Sequence, residues 1–249
     1  MFKSKKENPS LSVSNTYNLS KIFKNKNWTT EKPFGTNEFD KFCNLFATLT
    51  DEELELMFNL TEDFLWIQAN DYIKYFAKAF DSFISKFNFR DIKTIIITPL
   101  LTEKDFSKPK SSVMLYYLIA ASKNEIQQKY NTFNISFIDT PNKIFDIMKD
   151  GNFIVCLIDD FIGTGETAFS ATQFFMDKNI LNNNIAIVSL VAMKVGYNYL
   201  KTEGLEVFYS ILKEKGISDS YRNVEKETLI MQGIEQKIGV KPSFKFGYG

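Results

Sequence analysis

The chain has 249 residues, with 30 Lys and Arg against 30 Asp and Glu, a formal net charge of zero and no histidine. A neutral chain has no global pull toward nucleic acid or an anionic membrane, and a chain without histidine lacks the commonest general base and every histidine-based metal site. Hydrophobic residues at 44% and charged residues at 24% are the proportions of an ordinary globular protein.

Arg90 and Arg222 are the only arginines, which is poor equipment for bidentate contacts to bases or phosphates, so no direct DNA binding is expected. Cys43 and Cys156 each sit in an apolar pattern and read as reduced core residues. No apolar run approaches the length of a membrane span, and the basic N-terminus lacks the apolar segment of a signal peptide. The expectation is a cytoplasmic protein with no membrane partner.

Residues 1–36 are dominated by Lys, Asn and Ser, with Pro9 and Pro33 as breakers, and read as a tail in which Leu19, Ile22, Phe23 and Trp28 dock a short segment. Residues 37–90 read as a helical annex. Phe39, Phe42, Cys43 and Phe46 share one helical face, and Thr50-Asp51-Glu52-Glu53 has capping-box spacing for a second helix through Leu54, Met57, Phe58 and Leu60. Asp71 opens a third, whose stripe of Tyr72, Phe76, Ala79, Phe80, Phe83 and Phe87 reads as core.

From residue 91 the texture changes. Short apolar runs at 94–98, 135–138, 153–158, 185–191 and 205–209 read as buried strands. Between them lie helical segments at 113–129, 141–150, 167–177 and 197–202, the last ended by Gly204. Strands alternating with helices predict an α/β domain over 91–210, a parallel sheet flanked by helices on both faces. Residues 211–249 are charged and partly helical, with glycines at 216, 233 and 239, and finish on Phe246-Gly-Tyr-Gly249.

Phe153-Ile-Val-Cys-Leu-Ile-Asp-Asp-Phe-Ile-Gly-Thr-Gly-Glu-Thr167 is the stretch with chemistry in it. Asp159 and Asp160 are placed at the carboxyl end of a buried strand, and Gly163-Thr164-Gly165-Glu166-Thr167 makes a turn that opens a helix. The helix end offers unpaired N–H groups and a positive dipole to a phosphate, and the glycines let backbone come close to the ligand. The two acids either accept hydrogen bonds from vicinal hydroxyls or hold a metal through water.

This stretch resembles the motif that binds phosphoribosyl pyrophosphate (PRPP) in type I phosphoribosyltransferases. That motif is a run of apolar residues, two acids, two apolar residues, two small or hydroxyl residues, a glycine, any residue and a threonine. Cys156-Leu157-Ile158, Asp159-Asp160, Phe161-Ile162, Gly163-Thr164, Gly165, Glu166 and Thr167 fill it in register. The resemblance implies the type I fold, with a central parallel sheet. It implies that Asp159 and Asp160 hold the ribose hydroxyls and take the catalytic role. Phe161 and the loop Gly163, Thr164, Gly165, Glu166 and Thr167 would form the ribose and 5′-phosphate site, and Mg²⁺ would be held on Asp159 and Asp160 mainly through ligand and water. It also implies a second anion loop after the first sheet strand, where Lys110-Ser111-Ser112 is the local candidate for pyrophosphate. The same three residues read equally as an ordinary N-cap with a solvated lysine.

Gly163 stands where purine-salvage members carry an acid, which argues against purine salvage. The chain as a whole resembles bacterial phosphoribosyltransferase-like proteins that have a helical N-terminal region and are assigned to conflict systems, meaning defence against phage. That resemblance implies PRPP or a nucleotide as ligand and a defence-system protein as partner. It also implies a hood-like region over 211–249 whose completing segment lies beyond Gly249. Three readings stay open: a glycosyltransferase that transfers or removes a phosphoribosyl group, a non-catalytic nucleotide-binding regulatory module, and an effector that acts on a cellular nucleotide or a partner protein. An Asp-Asp pair at a strand end also occurs in phosphotransfer receivers and haloacid-dehalogenase-like phosphatases. Those sites need a lysine and further acids on other strand ends, and no such acid is read at the ends of the strands 94–98 or 185–191.

Overall fold

The computed structural model describes residues 10–28, 37–89, 92–106, 108–147 and 152–239. Pro9, Pro33, Arg90, Asp91 and the closing Phe246–Gly249 element lie outside the described residues. The chain divides into two compact units, one from residues 1–66 with 216–247 and 249, the other from 67–215 with 248.

The first unit is helical in its described residues. Inside the stretch read as a tail, α1 (Val13–Asn25) is a helix, capped by the Ser12 hydroxyl, which accepts from the Asn15 N–H at 3.2 Å. Its Leu19, Ile22 and Phe23 are buried together with Trp28 and with Phe46 of α2 (Glu38–Phe46). Edge-to-face contacts from Phe23 to Trp28, Phe39 and Phe42, with centroids 5.1 to 5.4 Å apart, fix this cluster. The capping box expected at Thr50 is present and opens α3 (Asp51–Asp63). The charged segment 224–238 is a helix, which packs on α3 through ion pairs from Lys226 to Glu52 and from Lys237 to Glu53.

The second unit holds the α/β fold. It begins with α4 (Tyr72–Lys86), which the sequence places with the preceding helices but whose Phe76, Ala79, Phe80 and Phe83 are buried against the sheet. The strands are β1 (Thr94–Pro99), β2 (Asn134–Phe137), β3 (Phe153–Ile162), β4 (Ile185–Met193) and β5 (Glu206–Lys213). All pairings are parallel, in the order β2-β1-β3-β4-β5. α4 covers one face with α5 (Ser111–Ala120). The other face carries α7 (Ile144–Ile147), α8 (Glu166–Met176) and α9 (Lys194–Thr202) on an apolar layer that includes Ile144, Ala171, Phe175 and Leu200. The expected parallel sheet with helices on both faces is what the chain forms.

Three elements differ from the sequence reading. The helix expected over 113–129 is two, α5 and α6 (Lys123–Lys129), separated by a non-helical Ser122 with φ −101° and ψ 23°. The break lets Gln127 of α6 receive the Ile135 N–H and donate to the Phe133 carbonyl, both at 2.8 Å, tying the helix to the start of the edge strand. The helix expected over 141–150 opens as a tight turn at Pro141–Lys143 and continues as α7 through Ile147, and residues 148–150 lie outside the described residues. β3 runs past the acids to Ile162, so Asp159 and Asp160 lie inside it, not after it. Pairing with β4 holds the strand on through Ile162, while pairing with β1 stops at Ile158.

α9 holds the loop that follows β3. A Cβ on Gly196 would fall 2.2 Å from the Gly163 carbonyl oxygen and 3.0 Å from the Gly165 nitrogen, so only a residue without a side chain lets helix and loop backbones touch. Gly165 itself adopts φ +89° and caps α8. Gly196→Ala is expected to push the 163–165 loop away and to cost about 1–3 kcal/mol as overpacking. Chemical denaturation measures this, and a variant as stable as wild type would show that the contact carries no weight.

Candidate functional site: a cleft at the sheet switch point

The chain leaves β1 toward β2 on one side and then builds β3, β4 and β5 on the other. Loops after β1 and β3 therefore diverge, and a crevice opens outside their carboxyl ends, the place where open α/β sheets bind ligands. The Leu100 N–H donates to the Ile158 carbonyl at 2.9 Å as the last link between the two strands. Asp159 is the next residue, paired to Ser189 of β4 and to nothing on β1.

A cleft of about 260 Å³ lies there, lined by Leu100, Asp105, Lys110, Ser111, Ser112, Asp159, Phe161 and residues 162–165, 167 and 168. The structure thus brings both loops picked out in the sequence to one place. Asp160 and Glu166 do not line the cleft. Glu166 is an exposed residue of the first turn of α8.

Two helix N-termini face this volume. α8 starts at Gly165 and α5 at Lys110, and neither is capped by a side chain. Their first N–H groups lack intrahelical partners, so both present partial positive charge to the cleft. The Thr164 and Thr167 side chains are exposed at the α8 end. Phe161, 40% exposed, adds an aromatic wall.

The β1–α5 loop is tied down from within. The Ser112 hydroxyl donates to the Leu100 carbonyl at 3.0 Å. Asp105 is buried and accepts from the Thr102 hydroxyl at 2.7 Å and from its N–H at 3.3 Å, while its other carboxylate oxygen pairs with the Lys110 ammonium at 2.9 Å. Burial alone would raise the Asp105 carboxyl, but its bonds to Thr102 and Lys110 outweigh that and hold it below the usual range. Lys110 is the N-cap residue of α5 and keeps its side chain 40% exposed while it pairs with Asp105.

Asp159 is held differently. Burial first, and then the charge and contact of the neighbouring Asp160 carboxyl, push its pKa well above the ordinary carboxylate range. The Asp160 N–H, which donates to Asp159 Oδ1 at 2.9 Å, and the more distant Lys110 charge oppose this without reversing it. Asp160 also acts on Tyr72 of α4, whose phenol is raised by burial and then by that carboxylate. No three or more metal-ligating side chains cluster among the described residues. The donors on hand, two adjacent carboxyls, suit a hard cation such as Mg²⁺, which keeps waters and shares itself with ligand oxygens, and do not suit zinc.

Sequence reasoning missed Asp105, Gly196 and Tyr72. Thr102 and Asp105 have the spacing of a reciprocal cap, a signal legible in the sequence. Gly196 touches the loop, and Tyr72 comes within reach of the Asp160 charge, only because α9 and α4 are folded onto the sheet.

Because native Asp159 keeps a proton that the unfolded chain releases, stability falls as pH rises from about 4 through the raised native value. Asp159→Asn removes the effect. At pH 8 the variant is expected to melt above wild type, by about 2–4 °C for each ~1 kcal/mol of penalty relieved, and at pH 4 the two should converge. Melting curves that run parallel across this range would contradict a proton held on Asp159.

No curated protein sequence matches the chain. Among solved structures it is similar to the HGPRT-ase of Leishmania tarentolae in complex with GMP, at 14% identity over 63% of this chain and 90% of that one, with a TM-score of 0.33. It is also similar to a hypothetical protein of Neisseria gonorrhoeae with bound ppGpp, at 12% identity over 68% of this chain and 96% of that one, with a TM-score of 0.31. No helix of the described residues is long and apolar enough to cross a membrane. The profile of the family PRTase-CE matches residues 14–246, nearly the whole length, and with the parallel five-stranded sheet beneath the motif the chain belongs to this phosphoribosyltransferase-like family.

Proposed function

We propose that the cleft binds a 5-phosphorylated ribose, either PRPP or a nucleotide. The observation that carries this reading is the meeting of Asp159 with the uncapped α8 N-terminus and its Gly163–Thr167 loop, directly past the last β1–β3 link. The loop N–H groups and the Thr164 and Thr167 hydroxyls would take the 5-phosphate. Asp159 would accept from the ribose hydroxyls, and Asp160, which does not line the cleft, would join it only by turning its carboxyl toward the ligand.

Asp159, with Asp160 beside it, would hold Mg²⁺ mainly through ligand and water, and the ion would supply charge neutralisation for a departing diphosphate. The transfer assigned to the site is displacement at C1 of PRPP. A bond from a nitrogen nucleophile to C1 forms, the C1–O bond to pyrophosphate breaks, its electron pair leaves with pyrophosphate, and the proton of an N–H nucleophile passes to the released pyrophosphate or to water. The work of the chain's own residues is positioning and electrostatic: the acids orient the ribose, and the α5 end with Lys110 meets the leaving anion.

A second reading, binding without transfer, rests on a specific observation. Of the two cleft-lining carboxyls, Asp105 is committed to Lys110 and Thr102, and burial together with the Asp160 charge raises the Asp159 pKa and makes that carboxyl harder to ionise. One experiment separates the readings. Titration calorimetry with PRPP and Mg²⁺ should show binding to the wild type, and a pyrophosphate-release assay with a panel of bases should then report turnover or its absence. Thr164→Val is expected to weaken ribose 5-phosphate about tenfold, one lost hydrogen bond to a charged group, and to leave a nucleoside unaffected. Equal losses for both ligands would count against the phosphate cradle.

The cellular role we assign, in a defence system with a protein partner, follows from the sequence resemblance alone. Cells carrying the gene should survive phage challenge better than cells carrying its Asp159→Asn form. Equal survival across a broad phage panel would remove the assignment.

A further inference from the structure

The loop between β1 and α5 carries a construction that the phosphate cradle does not explain. A carboxylate in an anion-binding cleft is, taken alone, a liability, because it repels the ligand. Asp105 lines the cleft and is nonetheless buried, with one oxygen on the Thr102 hydroxyl and N–H and the other on the Lys110 ammonium. Thr102 and Asp105 form a reciprocal cap, so the carboxylate is fixed to the backbone at the start of the loop. The far end of the loop is fixed by the Ser112 hydroxyl on the Leu100 carbonyl. Lys110, at the N-cap of the ten-residue α5, is the flexible member of this set, and its side chain is 40% exposed.

We infer that Asp105 is a positioning residue for a second anionic group of the ligand. It holds the Lys110 ammonium at the α5 end of the cleft, opposite the loop that takes the 5-phosphate. This rests on the reading of the cleft as a ribose-phosphate site and names the class of ligand it selects: one with two separate anionic ends, as in PRPP, over a monophosphate. A lysine has three donors, and one on Asp105 leaves two for the ligand. A free lysine would lose side-chain entropy on binding, whereas one already held by a fixed carboxylate has lost much of it in the unliganded protein. The short reach between Asp105 and Lys110, five residues apart on a loop pinned at both ends, makes the geometry local to this loop.

The inference makes a prediction opposite in sign to simple electrostatics. Neutralising Asp105 makes the cleft more positive and, by charge alone, should tighten an anion. If Asp105 positions Lys110, the loss of the carboxylate should weaken it. Binding of inorganic pyrophosphate, PRPP and ribose 5-phosphate, each with Mg²⁺, is measured by calorimetry on the full chain for wild type, Asp105→Asn, Lys110→Met and the double variant. Asp105→Asn is expected to weaken pyrophosphate and PRPP about tenfold, as for loss of one oriented charge-assisted contact, and to leave ribose 5-phosphate within about twofold. In the Lys110→Met background the same substitution should add nothing, because its effect runs through the lysine.

Tighter pyrophosphate binding in Asp105→Asn would overturn the inference. So would equal losses for all three ligands, or an undiminished loss in the Lys110→Met background, since either would mark Asp105 as merely structural. Should Asp105→Asn fail to fold, Thr102→Val, which loosens the same carboxylate from the other side, must show the same ligand selectivity or the inference fails. Pyrophosphate bound in a Lys110-dependent way by a chain that ignores ribose 5-phosphate would sustain the role of Asp105 and overturn the ribose reading instead.

Discussion

The site depends on where one ladder ends. β1 and β3 run in register from Thr94 and Phe153 up to Pro99 and Ile158, and the Leu100 N–H closes the pairing on the Ile158 carbonyl. Pro99 has no N–H to extend a ladder of its own. Beyond this link β3 continues only because β4 still holds it, as far as Ile162 opposite Ala192. A strand supported on one side and released on the other leaves a wall of backbone and side chain facing open space. Asp159, Phe161 and the Gly163–Thr167 loop stand on that wall, and the β1–α5 loop forms the other.

What surrounds the crevice makes it rigid. On one side Gly196 brings the α9 backbone against the Gly163 carbonyl, a contact that any side chain would prevent. On the other, the Thr102–Asp105 cap and the Ser112–Leu100 bond anchor a loop that would otherwise be free to move. Both devices use backbone groups, and both leave two uncapped helix ends pointing at the same volume. A cavity prepared in this way spends little entropy in ordering itself around a ligand. Its electrostatics are mixed: partial positive charge from the helix ends and Lys110, set against one carboxyl paired with that lysine and another whose ionisation burial disfavours.

Much of this was legible in the residues. The strand–acid–loop–helix register from Phe153 to Thr167 predicts a ribose-phosphate wall, because alternation of buried runs and turn residues is a local property. The five strands and the Thr50 cap follow for the same reason. The helix at Val13–Asn25 was hidden because three apolar residues in a polar segment are a weak stripe until Phe46 and its neighbours are there to receive them. The break at Ser122 was hidden because its cause, the tie from Gln127 to Phe133 and Ile135, is a polar side-chain contact that apolar periodicity does not record.

The sequence by itself determined the chemistry that this protein can offer: two adjacent acids, a glycine-threonine loop, a lysine at a helix start and no histidine anywhere. Those are properties of residue types and of their spacing along the chain. Only the tertiary structure decided which of them meet. It placed Asp159 on the cleft wall where burial raises its pKa, paired the exposed Lys110 with a buried Asp105, and brought Gly196 and Tyr72 to the motif from more than thirty residues away. Burial, pairing across strands and the end of a ladder are relations between distant segments, and a linear pattern carries no record of them until the sheet order is fixed.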